Sequence, residues 1–306
     1  MMEKTIRVRV PGTSANCGPG FDTLGVACNI YNELELTLKH RDEMTIEIQG
    51  EGAENIPCDH RNIVWRSIQL LLKKAHLEDE FQGAHIRMKN CIPLSRGLGS
   101  SAAAIVAGLK AANVLVGNRF SRREILQMAT DIEGHPDNVA PAIFGGFTIS
   151  VVHDGHPECF SFVPKMDLKL VVAVPKFPLS TRSARNVLPK QVPLKDAVFN
   201  VSRAALLVAA LSRGNTRFLA HAFEDALHQP YRAKLIPGMY DVFQAAKEAG
   251  ALGASMSGAG PCLIAFSLAH GDEVGRAMVD AFKKHTIEAN YLLLDIDTRG
   301  VCIIKK

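Results

Sequence analysis

The sequence predicts an α+β protein of two domains: an N-terminal α/β unit built around a buried helix, then an α+β sandwich with helices on one face of an antiparallel sheet. Three observations carry that expectation. At 306 residues the chain exceeds the usual size of a single core. Strand-like runs crowd its first part, at 6–10, 32–39, 44–49 and 85–91. The stretch 101–116 is almost wholly apolar and small, so a helix formed by it has no polar face for water and runs through the core of its domain.

Taken in order, residues Met1 to Val10 alternate charged and apolar side chains with no continuous apolar run, which makes them a strand and not a signal peptide. In 32–39, Leu34, Leu36 and Leu38 share one face. A helix over 62–75 presents Ile63, Ile68, Leu71 and Leu72 on an apolar side, and the buried helix 101–116 ends at Gly117-Asn118. A third helix, 121–132, starts at Ser121 with Glu124 three residues on as its capping-box partner. Residues 142–152 return to strand through Gly145-Gly146. A composition shift near Pro157 to Pro164 marks the boundary, giving units 1–160 and 161–306. Beyond it come a strand at 168–174, a proline-marked polar loop at 175–193, and helices at 194–213, 216–227 and 237–248. Strands at 254–256 and 262–267, a helix at 272–284, and strands at 289–294 and 301–304 complete the chain.

Bulk properties narrow the function classes. A net charge of +4 is small for this length, and apart from Arg119, Arg122 and Arg123 the basic residues are spread, which argues against a nucleic-acid partner and leaves room for a small anion. The greasiest stretch, 204–211, is too short to span a bilayer, so no membrane is expected. Seven cysteines, an odd number with no Cys-x-x-Cys pair, indicate neither a disulfide framework nor a zinc site and suit a reducing cytoplasm.

The chemistry centres on Pro93-Leu94-Ser95-Arg96-Gly97-Leu98-Gly99-Ser100-Ser101-Ala102-Ala103-Ala104. Its glycines let the backbone approach an anion, the helix start presents unpaired N–H groups and the positive end of its dipole, and two serine hydroxyls can donate to phosphate or ligate Mg2+. Other readings compete. Gly97-x-Gly99-x-x-Ala102 formally matches a dinucleotide fingerprint, but Ser95-Arg96 precedes it and Gly117-Asn118 stands where a strand ending in an acidic residue belongs. No lysine follows Gly99 as a Walker loop requires. A glycine loop that merely caps a buried helix is the bland alternative.

Two further segments tip the balance: Pro11-Gly12-Thr13-Ser14-Ala15-Asn16-Cys17-Gly18-Pro19-Gly20-Phe21-Asp22-Thr23-Leu24-Gly25 after the first strand, and Gly253-Ala254-Ser255-Met256-Ser257-Gly258-Ala259-Gly260-Pro261-Cys262 before a late one. With the central loop they resemble, in order and spacing over essentially the whole chain, the three signature motifs of the GHMP kinases. Further segments are similar to the branch of that family that phosphorylates the side-chain hydroxyl of L-homoserine: Glu133-Gly134-His135-Pro136-Asp137-Asn138-Val139-Ala140-Pro141-Ala142, Thr181-Arg182-Ser183-Ala184-Arg185, and Gln229-Pro230-Tyr231-Arg232.

The resemblance implies an N-terminal ATP-binding domain, a ferredoxin-like C-terminal α+β sandwich, and an ATP- and Mg2+-dependent kinase of threonine biosynthesis. It implies that residues 93–103 cradle the phosphates, with Ser100, Ser101 and Glu133 toward Mg2+. Asp22 with Asn16 would face the ammonium of homoserine, Arg185 and Arg232 its carboxylate, His135 the substrate, and Asn138 the attacking hydroxyl. Ser101, Glu133 and Asn138 thus form the expected catalytic set. The lysine or arginine with aspartate that serves mevalonate kinases and galactokinases has no clear counterpart, which leaves a general base in doubt. Asp137 is one candidate base and equally a turn residue. Another kinase of the family and a non-catalytic ligand sensor of the same fold stay open, and a homodimer is a further expectation.

Bland readings stand beside these. A loop arginine is usually solvated, and Glu133 alone is an ordinary helix-end carboxylate. His153-Asp154-Gly155-His156 has metal-like spacing but is a turn between strands, and Trp65 belongs to the core or to packing beside adenine.

Overall fold

In the computed structural model, residues 4–304 are described, so Met1 to Glu3 of the expected first strand lie outside the described residues. The first sheet runs in the order β11-β1-β2-β4-β3, with the pair β5 and β6 joined to β2. Its strands are β1 (Thr5–Ala15), β2 (Leu24–Lys39), β3 (Met44–Gly50), β4 (Gly83–Asn90), β5 (Phe147–His153), β6 (His156–Phe162) and, from the chain's end, β11 (Cys302–Ile303). β1 and β2 pair antiparallel from Thr5↔Thr37 to Ala15↔Gly25, and the register shifts between Pro11 and Gly12, where proline has no N–H to continue the ladder. β3 and β4 are parallel, and α1 (Ile63–Lys74) makes the crossover that parallel strands need.

Behind this sheet runs α2 (Ser100–Leu115), buried along most of its length from Ala102 to Asn113 as its composition predicts. It packs on α1, β1, β2 and α3 (Arg122–Glu133), whose capping box between Ser121 and Glu124 is fully formed. α4 (Pro136–Phe144) follows at once. The expected strand 142–152 is thereby corrected: helix continues through Phe144, Gly145 ends it, and strand begins at Phe147. Proline at the first helical position pre-sets the backbone for helix, a signal outweighed in the sequence by Pro141 and the glycine pair. The proline-rich stretch near 157–164 contains β6, which pairs with β5 around the Asp154-Gly155 turn, both residues having positive φ.

The second sheet, β10-β7-β9-β8, is antiparallel throughout and comprises β7 (Lys169–Pro175), β8 (Gly253–Met256), β9 (Leu263–Ser267) and β10 (Ala289–Asp295). Both of its faces are covered, so its central strands read as continuous apolar runs. Leu170, Val172, Val174, Ile264 and Phe266 enter the main core, whereas Val171, Ala173, Leu263 and Ala265 pack under α9 (Met239–Glu248) and α10 (Gly271–Lys284). We propose that the division between units lies between β6 and β7, with β11 returning to the first sheet.

Between β7 and β8 the chain is helical but broken. The expected polar loop 175–193 contains α5 (Thr181–Asn186), capped by Ser180, and α6 (Leu194–Arg213) is continuous. The expected helix 216–227 is a single 3-10 turn at Thr216–Phe218 and a short α7 (Leu219–Ala222), after which α8 (Gln229–Arg232) starts anew. The Asp225 carboxylate accepts the N–H groups of Leu227, His228 and Gln229, offering that backbone an alternative to the helix ladder. Trp65 is 1 % exposed and belongs to the core.

Phe266, 1 % exposed, stacks on Phe223 at 4.4 Å where the second sheet meets the main core. Phe266→Ala should cost about 3–5 kcal/mol, read in urea unfolding as a lower midpoint at unchanged slope.

Candidate active site

The loop between β4 and α2 bends through Ser95 (φ 55°), Gly97 (φ 80°) and Gly99 (φ 69°), all in the left-handed region. At Gly97 a Cβ would overlap the carbonyl oxygen of Ser257, and at Gly99 it would overlap the hydroxyl of Thr13. Glycine is needed there for space as well as for φ. The three glycine-bearing segments meet at these points. Ser257 Oγ donates to Gly97 O at 2.6 Å and lies 2.9 Å from Ser14 Oγ, Thr13 N donates to Leu98 O at 3.0 Å, and Asn16 Nδ2 donates to Gly258 O at 2.8 Å. Gly99 has no side chain with which to cap α2, so the first-turn amides stand without a side-chain cap, beside the Ser100 hydroxyl.

The junction opens on a cavity of about 440 Å3. Asn16, Asp22, Glu133, His135, Asn138, Arg185, Arg232 and the loop 93–101 all line it, so side chains from both halves of the chain converge as the sequence predicts. Ala102 and Ala103 do not: both side chains are fully buried in the core, and the Ala103 N–H is bonded to Gly99 O. The Ala102 amide lies in the first turn of α2.

Local structure aims each group. Asn16 and Asp22 sit in a loop with several positive-φ residues, and the Asn16 side chain bridges that loop to the turn between β8 and β9, its Oδ1 accepting Asp22 N at 3.0 Å while its Nδ2 donates to Gly258 O. Asn16 therefore holds Asp22 in place. Arg185, at the end of α5, donates to both Asp22 oxygens at 3.0 and 2.7 Å, a fork geometry that keeps its pKa above the ordinary arginine value.

Arg232 is different. It is 2 % exposed, and its hydrogen-bond partners are neutral: Ala184 O at 3.1 Å, His228 Nδ1 at 3.3 Å and Gly258 O at 3.4 Å. Burial, reinforced by the Arg185 charge, pushes it down to about 10. The ring of Phe21 lies 5.2 Å from its guanidinium and 5.6 Å from that of Arg185.

On the other wall, Glu133 ends α3 and accepts the Ser101 hydroxyl at 2.8 Å. Burial raises its pKa above the usual glutamate value, and that hydroxyl only partly offsets the shift. His135 is the N-cap of α4, its Nδ1 2.5 Å from Asp137 Oδ1. Burial opposes its charging, yet the Asp137 hydrogen bond and charge outweigh burial and raise its pKa. Asn138 Oδ1 accepts the Thr13 hydroxyl at 2.8 Å, and its Nδ2 lies 3.4 Å from Asp137 Oδ1.

Several lining residues carry no functional signal in the sequence. Ile56, Pro57, Ile63 and Met88 give the cavity an apolar lining, with Asn55 and Asn90 also facing it, and these positions are scattered over two elements and a loop. Ser257 and Thr13 lie inside recognisable motifs, but nothing in the motifs says which atoms they touch.

Two family models match the chain: GHMP kinases N terminal domain over residues 62–146 and GHMP kinases C terminal over 206–284. The chain belongs to the GHMP kinases, which are ATP-dependent. Among curated relatives, homoserine kinase of Carboxydothermus hydrogenoformans is 44 % identical, covering 96 % of this chain and 95 % of its own. That of Desulfitobacterium hafniense is 42 % identical over 98 % and 100 %. Among solved structures, homoserine kinase from Cytophaga hutchinsonii superposes with a TM-score of 0.90 at 34 % identity, covering 99 % and 98 %. L. major mevalonate kinase in complex with R-mevalonate shares the fold at TM-score 0.72 and 18 % identity, over 97 % and 98 %. Within the GHMP class the family of this chain is the homoserine kinases.

The close approach at Gly97 is testable by stability alone. Gly97→Ala should cost about 1–3 kcal/mol, and more than Gly117→Ala, whose φ of 89° faces open space. Equal losses in urea unfolding would show that the contact with Ser257 O exerts no constraint.

Proposed function

We propose that this chain transfers the γ-phosphoryl group of ATP to the side-chain hydroxyl of L-homoserine, giving O-phospho-L-homoserine for threonine biosynthesis. One observation carries the reading: a glycine loop and helix start open into the same cavity as a buried arginine whose hydrogen-bond partners are neutral, with Asp22 and Arg185 beside it. An anion at each end and an ammonium by Asp22 describe a nucleotide facing a zwitterionic amino acid.

Each side chain then has a task. Residues 93–101 and the start of α2 hold the phosphates, and the apolar wall of Ile56, Ile63 and Met88 takes the flat base, with Asn55 and Asn90 at its polar edge. Arg232 and Arg185 meet the amino-acid carboxylate. Asp22, held by Asn16, faces the ammonium, His135 contacts the substrate, and Asn138 receives the attacking hydroxyl. Mevalonate has no ammonium to answer Asp22. Phosphoryl transfer asks these groups for alignment and charge neutralisation more than for covalent help. Asp137 is 2 % exposed and engaged with His135, which supports a positioning part over that of a base.

For Mg2+ the residues fit at one place. Asp22, His135 and Asp137 bring ligand-type atoms within 4.8 Å of one another, but Asp22 is engaged by Arg185 and Asp137 by His135, and imidazole is a poor Mg2+ ligand. Glu133 is a buried carboxylate partnered by a single hydroxyl, so a hard cation beside it and Ser101, with Ser100 adjacent, relieves its desolvation. When bound, the ion neutralises phosphate charge.

Among the described residues no helix is long and apolar enough to cross a membrane. The seven free thiols support a reducing cytoplasm. The expected homodimer has apolar surface available on α6, where Leu194, Val198 and Val201 are exposed at helical spacing.

ADP release should be seen with homoserine and not with mevalonate, galactose or shikimate; turnover of another alcohol alone sinks the reading. Arg232→Met should weaken homoserine binding in calorimetry by about 2–5 kcal/mol, with Arg185→Ala toward the low end because Arg185 is partly exposed, and ATP affinity little changed in both. Equal loss of both ligands would assign these arginines to the nucleotide or the fold. Chelation by EDTA should stop turnover, and Glu133→Gln should raise the Mg2+ needed for half-maximal rate about tenfold or more. An unchanged Mg2+ requirement would remove Glu133 from the metal site.

A further inference from the structure

Thr13 lies behind the cavity wall, fully buried, two residues past the register shift in β1. Its backbone N–H donates to Leu98 O at 3.0 Å, its hydroxyl donates to Asn138 Oδ1 at 2.8 Å, and the Gly99 Cα sits so close to that hydroxyl that any side chain at 99 would collide with it. One residue of the first strand therefore touches the last residue of the phosphate loop and the residue assigned to the attacking hydroxyl, 125 positions further along the chain.

We propose that Thr13 is a positioning residue of the phosphoryl transfer: its hydroxyl sets the rotation of the Asn138 amide and ties it to the phosphate loop, so acceptor and donor are aligned by one shared contact. This rests on the reading that Asn138 receives the homoserine hydroxyl. An amide oxygen has two lone pairs. With one occupied by Thr13, the other is left for the substrate O–H, while Asp137 near Nδ2 opposes the flipped amide. Without the Thr13 donor only the long contact with Asp137 opposes the turned amide, whose N–H cannot accept a hydrogen bond from the substrate hydroxyl. Thr13 is absent from the cavity-lining residues, so it acts through Asn138 and the loop and not on substrate directly.

The test is a double-mutant cycle on the full chain with kcat and both KM values measured. Thr13→Val keeps the shape and removes the donor; kcat should fall about 10- to 100-fold, the scale of a misplaced reacting group, with KM for ATP within about twofold. Thr13→Ser keeps the hydroxyl and should recover the rate to within about fivefold of the parent. In an Asn138→Ala background, Thr13→Val should add little, because residues acting as a unit are not additive. If Thr13→Val fails to fold, Thr13→Ala against Thr13→Ser makes the same comparison. Unchanged kcat in the hydroxyl-free variants, failure of serine to recover the rate, or fully additive losses would overturn the proposal. Parental kcat in Asn138→Ala would instead overturn the reading of Asn138 on which it rests.

Discussion

The hydroxyl of Ser257 sits at the point on which this site depends. It donates to the Gly97 carbonyl and meets the Ser14 hydroxyl, so one buried group joins the loop before α2, the end of β1 and the turn between β8 and β9. A side chain at 97 does not fit that junction. Because the three segments are locked together, the start of α2 faces a wall supplied by the other half of the chain, and a helix terminus becomes one side of a cleft.

The second constraint is electrostatic. Buried charges must be paired or kept for a ligand of opposite sign. Asp22 and Arg185 are paired, as are His135 and Asp137, whereas Glu133 and Arg232 are hydrogen-bonded to neutral groups. Those two line one cavity, from the end of α3 and from α8. The GHMP fold is shared with mevalonate kinases, so the architecture alone does not select the substrate.

Much of this was legible in the sequence. The apolar helix 101–116, the capping box at Ser121 and the Asp154-Gly155 turn are local signals set by neighbouring residues, and each appears in the structure. The errors were local conflicts resolved by distant partners. Residues 136–144 carry Pro141 and run into two glycines, yet they form a helix packed on α2, β1 and β2. Residues 223–228 have helical composition, but the Asp225 carboxylate captures their amides, and Asn200 in turn donates to that carboxylate.

By itself the sequence determined that three glycine segments exist, that one opens a buried helix, and that acids and arginines accompany them, because φ preference and apolar periodicity are properties of a few adjacent residues. Only the tertiary structure decided that the Asn16 side chain ties Asp22 N to Gly258 O, that Ala102 and Ala103 face the core, and that Arg232 is the buried arginine with neutral partners. It also decided the pairs Thr13 with Asn138, Asp22 with Arg185 and Gly97 with Ser257, separated by 125, 163 and 160 positions. A hydrogen bond requires atoms within about 3 Å, and over such separations only the packing of the whole chain sets that distance.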